Sequence, residues 1–247
     1  MIAARLAKRI ACWLAVALVV AIVGTASANE ASFLASSADP ALGANFVKEV
    51  QGAWQAMPAP IRDTLQQAGW RVVLAEFVVD AAPELLQASP RGWPEGMSWR
   101  QTDAVHLPQD RKLIIAEKRL NARGDVVAAS RCAGVLRHEL GHAFDLAQGG
   151  RWRFVSASPD FAASYAADVA AIAVADRESL AYYLQTGSAG RQEAFAEAFG
   201  VLLGGGSDAA QEQRFRASFS RTLTFVKARL ELTPAVVARG RIANSRR

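Results

Sequence analysis

His138-Glu139-Leu140-Gly141-His142 sets two imidazoles and a carboxylate inside five residues. On a helix, positions four apart lie on one face, so His138 and His142 would stand one turn apart, where both can ligate one ion. Glu139 would sit beside them, placed to take a proton from a water that the ion acidifies. Zinc is the ion suited to this combination of imidazoles and a neighbouring carboxylate base. The flanks predict the helix: Arg131 to Arg137 lead in, Ala143 to Gln148 lead out, and Gly149-Gly150 supply a stop. Val135, Leu136, Leu140, Ala143 and Leu146 wrap the motif in apolar side chains, so the helix is expected to be largely buried. Two histidines on a solvent-facing helix would need no explanation. Buried ones beside a glutamate are costly unless a metal or hydrogen bonds satisfy them, and this favours the metal site.

A hydrolytic zinc takes three protein ligands and keeps one position open. The third ligand is not a downstream histidine, because the chain has three histidines and none follows His142. His106, two residues before Pro108, reads as an exposed loop residue. Asp145, Asp160, Glu178, Glu193 and Glu197 remain as carboxylate candidates. Asp145 follows His142 by three residues on the same helix and suits hydrogen bonding behind the ligands. Glu193 and Glu197 lie one turn apart, the only charges between Arg191 and the stop at Gly204-Gly205-Gly206, in a helix that is apolar nearly all round. Such a helix is buried, and buried acids need partners.

These residues require a scaffold. Phe46, Val47, Val50 and Trp54 have helical spacing over 44–57, and Ile61 to Ala68 read as a second helix after Pro58 and Pro60. The β-branched run 70–79 reads as a strand, 83–96 with three prolines as a loop, and Lys112 to Glu117 as a second strand. Gly124 to Ser130 read as the connection to the motif helix. Downstream, Ser158-Pro159-Asp160 opens a helix through Ala171, Asp176 opens one carrying Tyr182 and Tyr183, and a third runs to Leu203. Phe215, Phe219, Leu223 and Val226 mark a final helix from about Gln211 to Leu230.

Residues 1–28 have the plan of an export signal: Arg5, Lys8 and Arg9, an apolar core from Cys12 to Gly24, then Ala26-Ser27-Ala28 as a cleavage site before Asn29. The apolar centre is shorter than the roughly 20 residues of a spanning helix, so cleavage is expected rather than anchorage. An exported protein, periplasmic or secreted, follows. The whole chain carries +5; without its first 28 residues it has 25 basic against 23 acidic residues, or +2. That balance gives no reason to invoke nucleic acid or an anionic membrane. Cys132 is then the one cysteine left, so no intramolecular disulfide forms, and a buried small side chain is its expected role. The expected organisation is signal 1–28, flexible lead 29–43, one domain over 44–235 and a basic disordered tail 236–247.

HELGHAFD at His138–Asp145 together with QEAFAEAF at Gln192–Phe199 resembles the anthrax lethal factor-like metallopeptidases, a group that includes the secreted bacterial Pro-Pro endopeptidases. The resemblance covers about residues 50–232 and extends to Phe215, Phe219, Phe225 and Val226 in the last helix. It implies an α+β, zincin-like fold: a small mixed sheet with the HExxH helix in an upper lobe and a mainly helical lower lobe. It implies Glu193 as the third zinc ligand and Glu197 as a supporting glutamate behind it. The family also carries a tyrosine seven residues before the ligand glutamate, which steadies the oxyanion; here that position is Thr186. Tyr183 is the expected replacement, with Tyr182 in reserve.

The expected activity is zinc-dependent peptide-bond hydrolysis with Glu139 as general base and Tyr183 donating to the oxyanion. An extended peptide or protein substrate is expected on the strand Lys112–Glu117, taken as a sheet edge. A zinc-stabilised binding or adhesion module and a secreted effector protease are the competing functions. The first has no use for Glu139, and the second shares the chemistry.

Overall fold

The strand at Lys112 is not an edge. In the computed structural model, which describes residues 33–36, 42–88, 96–129, 131–206 and 208–244, four strands form one mixed sheet. These are β1 (Leu34–Ser36), β2 (Arg71–Ala75), β3 (Ala104–Leu107) and β4 (Lys112–Ala116), in the order β1-β2-β4-β3. β4 pairs with β2 in parallel and with β3 in antiparallel register, His106 lying opposite Leu113. Its ladder is therefore used on both sides, which corrects the expected docking edge; the outer strand on that side is β3. The run Leu113-Ile114-Ile115-Ala116 is wholly buried because both faces of the sheet are covered. Val72, Leu74, Leu113 and Ile115 join the main core, while Ala75, Val105, Ile114 and Ala116 form a smaller one on the opposite face.

β1 falls in the segment expected to be a flexible lead. It pairs in parallel with β2, and Phe33 just before it stacks on Trp54 at 3.8 Å, so tertiary contacts order a stretch whose composition suggested none. A hairpin of β5 (Lys118–Leu120) and β6 (Val126–Ala128) occupies part of the expected connection to the motif helix. The export signal expected over 1–28 lies outside the described residues.

The helices are α1 (Ala44–Gln55), α2 (Ala59–Gln67), the single turn α3 (Val78–Ala81), α4 (Cys132–Gln148), α5 (Pro159–Ala171), α6 (Ala189–Leu202), α7 (Ala209–Ser218) and α8 (Ser220–Asn244). α1 buries Phe46, Val50, Ala53 and Trp54, one helical stripe. α4 carries the HExxH motif. Its first residues lack a capping side chain of their own, and Glu49 of α1 accepts from the Ala133 N–H at 3.0 Å instead. α5 starts on Ser158, whose hydroxyl accepts from Phe161 N–H. α4 lies against α6, and their close approach depends on Gly141: a β-carbon there would stand 2.7 Å from Ala196 Cα.

Three expected elements differ. The single last helix is two, α7 and α8, parted at Phe219, where Asp168 accepts from the Arg221 and Thr222 N–H groups at 3.2 and 2.8 Å and so caps a new start. α8 then runs on to Asn244, through most of the segment expected as a tail. The helix expected from Asp176 is only the 3₁₀ turns Val174–Asp176 and Ala181–Leu184. Tyr183 is drawn out of helical register into an aromatic cluster with Phe215 and Phe219, and its carbonyl accepts from the Tyr165 hydroxyl at 2.7 Å. Among the described residues, no helix is long and apolar enough to cross a membrane.

Candidate metal centre

α4 and α6 face each other across the floor of a cleft of about 890 Å³, and the close packing at Gly141 brings their polar residues together. Nε2 of His138 and Nε2 of His142 lie 3.2 and 3.3 Å from the same Oε2 of Glu193. One ligand atom from each of the three falls within 4.8 Å of the others. Behind them, Nδ1 of His138 is 3.1 Å from Oε2 of Glu197, which is 4% exposed. With Nδ1–H donating to Glu197, the His138 Nε2 lone pair is turned toward Glu193. Two imidazole nitrogens and a carboxylate oxygen converging in this way could hold a shared cation, and they are a donor set that fits zinc.

The electrostatics agree. Burial alone would raise the Glu193 carboxyl, but the His142 charge and hydrogen bonds from both imidazoles hold it well below the usual carboxylate range. Burial would lower His138, yet carboxylates on both of its nitrogens push it well above the ordinary value. Glu139 lines the same cleft; burial raises its carboxyl, and the charges of His142 and His138 pull it back. With Glu193 and Glu197, it makes three carboxylates around two imidazoles, an excess of negative charge that suits a dication.

The residues expected to support this centre divide between two places. Tyr182, 42% exposed at the cleft wall, stands with its ring 6.4 Å from that of His138. Its hydroxyl is raised well above the ordinary tyrosine value by burial and by the charge and hydrogen bonding of Glu193. Tyr183 is buried, and its hydroxyl is raised by burial and by the adjacent Glu197 carboxylate, with Gln211 hydrogen-bonding against that rise. So the reserve tyrosine faces the donor set and the favoured one faces the glutamate behind it. Asp145 does not reach the imidazoles through a hydrogen bond. It accepts from Ser156 N–H at 2.7 Å and Ser156 Oγ–H at 2.6 Å, and burial pushes its carboxyl up to about 6 against those bonds.

Comparison with known proteins adds one finding. No family model matches the chain, and no curated protein matches its sequence. Among solved structures, it is similar to the Pro-Pro endopeptidase PPEP-2 from Paenibacillus alvei, with a TM-score of 0.56 and 19% identity over 81% of this chain and 98% of that one. The fold is shared with a peptidase. At that identity the likeness concerns the α+β fold, a small mixed sheet joined to helices, and not its chemistry.

His106 overturns its sequence reading. It is on β3 rather than in a loop, its ring stacked between Trp70 at 4.9 Å and His142 at 5.5 Å. Burial, then the His142 charge, takes its pKa down to about 3, so it is a neutral imidazole stacked against the His142 ring. The signal available was the Ala104-Val105-His106-Leu107 alternation, short enough to be masked by Pro108. Asp160 and Glu178, the other carboxylate candidates, do not line the cleft.

Proposed function

We propose that this protein is a zinc-dependent endopeptidase. The observation that carries the proposal is the convergence of His138, His142 and Glu193 within 4.8 Å beside Glu139 in an open cleft. The fold it shares with a Pro-Pro endopeptidase supports a peptide or protein substrate. His138 and His142 from α4 and Glu193 from α6 would hold the ion, which when bound supplies Lewis acidity to a water and to the scissile carbonyl.

The chain's own residues do the rest. Glu139 takes the proton from the attacking water and passes it to the nitrogen of the leaving amine. Its upward-shifted carboxyl suits both halves of that transfer. Glu197 keeps His138 in the tautomer that frees Nε2, and Tyr183 in turn steadies Glu197. Among the described residues β3 has one ladder partner, β4, and Ala104, Val105 and His106 line the cleft. An extended peptide would therefore add to the free side of β3 by main-chain hydrogen bonds.

Tyr182 is the side chain we assign to the developing oxyanion, in place of Tyr183. Tyr182→Phe is expected to lower kcat by about 10²-fold with little change in KM, the scale of losing one oxyanion donor. Tyr183→Phe is expected to act instead on metal affinity, through Glu197. Steady-state kinetics beside a chelator competition separates the two, and the assignment fails if Tyr183→Phe carries the larger kcat loss. The export reading rests on residues 1–28 of the sequence. It requires an N-terminus at Asn29 in protein recovered from the native host, which intact-mass analysis reads directly; a retained Met1 counts against it.

A further inference from the structure

We propose that Arg153 is the specificity-determining cation of this cleft and that the substrate presents it with a carboxylate; the proposal rests on the peptidase reading above. Among the described residues that line the cavity, Arg153 is the one lysine or arginine. Of the five acids that line the cleft with it, four are engaged: Glu193 and Glu197 contact the imidazoles, Asp145 accepts from Ser156, and Asp103 pairs with Arg119 at 2.9 Å; the fifth, Glu139, is the proposed general base. The Arg153 guanidinium lies over the Phe154 ring at 5.4 Å and has no carboxylate partner among the described residues.

The backbone that presents it is built for the purpose. Arg153 sits at φ 67°, ψ −44°, outside the regions an L-residue adopts freely. Such strain persists only where the surroundings enforce it, and it clusters at functional sites. The enforcement is visible on both sides. The chain before Arg153 folds back so closely that a β-carbon on Gly149 would collide with the Arg153 carbonyl, and Arg153 N–H donates to Gly150 at 3.1 Å. The chain after it is tied by Ser156 to Asp145, on the same helix as His142. The turn is thereby fixed to the metal-ligand helix at two points, and Arg153 and Phe154 form a wall of the cleft at a set distance from the chemistry.

The Arg153 guanidinium, 5.4 Å from the Phe154 ring centroid, has its N–H donors unused by any carboxylate among the described residues, and the group that matches its fork is a carboxylate bound by two parallel hydrogen bonds. Two parts of a peptide supply one: an Asp or Glu side chain, or the C-terminus. The experiment uses the mature, zinc-loaded protein and one cleaved peptide from a broad library. It varies Glu against Gln at each position around the scissile bond in one series, and free acid against amide at the C-terminus in the other. We expect roughly tenfold higher kcat/KM for the carboxylate at one position, mostly in KM, as for a charge-assisted hydrogen bond. Arg153→Gln removes the preference, Arg153→Glu transfers it to Lys, and Tm and zinc content stay unchanged in both. An effect confined to the Glu/Gln series identifies a side chain; one confined to the acid/amide series identifies the terminus.

Binding of the same peptides to Glu139→Gln protein, followed by tryptophan fluorescence, keeps this test separate from the peptidase reading. Carboxylate-selective binding that Arg153→Gln abolishes supports the proposal even if no peptide is cleaved, whereas the peptidase reading then falls. Cleavage or binding indifferent to the carboxylate, no peptide binding at all, or a preference that survives in Arg153→Gln overturns it.

Discussion

Glu139→Gln is expected to keep close to one equivalent of zinc while its turnover falls by at least ~10²-fold. Glutamine preserves the shape of the side chain and touches none of His138, His142 or Glu193, so the donor set stays intact. What disappears is the acceptor for the proton of the attacking water, and with it the group that later protonates the leaving amine. Glu139 is suited to that double duty by where it sits. Burial raises its carboxyl, and the neighbouring imidazoles keep the rise in check. Zinc content measured beside peptidase rate, on one substrate taken from a peptide library, reads both quantities from the same sample. A variant that cleaves undiminished removes Glu139 from the mechanism. Wild-type protein that is loaded with zinc and cleaves nothing in a broad library favours the non-catalytic binding module.

The second large effect is on the metal. Glu193→Ala, His138→Ala and His142→Ala are each expected to lose most bound zinc and all activity, because each removes one of three converging donor atoms. Glu197→Ala is expected to weaken zinc binding by about 10–100-fold without abolishing it, the usual cost of losing the group that orients a ligand histidine. The distinction comes from geometry: one Glu193 oxygen lies within 3.3 Å of both Nε2 atoms, whereas Glu197 meets only Nδ1 of His138, on the far side of the ring. Chelator competition on the four variants orders them. If Glu197→Ala empties the site and Glu193→Ala keeps zinc, the ligand lies one helical turn from where we assign it.

The centre of this site was legible because its information is local. Five consecutive residues place His138, Glu139 and His142 relative to one another through the geometry of a single helix, and the apolar residues around them announce its burial. The same holds for Glu193 and Glu197 on α6, although nothing local says which helix they oppose. That was supplied by resemblance, and the packing of α6 on α4 at Gly141 then brings them within reach of the imidazoles.

Other features depended on partners distant in sequence. Periodicity marked Lys112–Ala116 as a strand, but whether a strand is interior or edge depends on which segments pair with it, and β3, Ala104–Leu107, is too short to stand out. β1 acquires its conformation from β2 and Trp54, with no strong preference of its own. Tyr182 and Tyr183 are adjacent in the chain, and spacing favoured Tyr183 with Tyr182 in reserve. The aromatic cluster of Phe215 and Phe219 claims Tyr183, and the 3₁₀ turn then delivers its neighbour to Glu193. His106 looked like a loop residue because its partners, Trp70 and His142, lie 36 residues away on either side. The sequence by itself determined the motif helices and their buried faces, set by spacing within a few turns. Only the tertiary structure decided the outer strand, which tyrosine faces Glu193 and which Glu197, and the stacked histidine, because each is chosen by contacts between segments whose meeting no local pattern encodes.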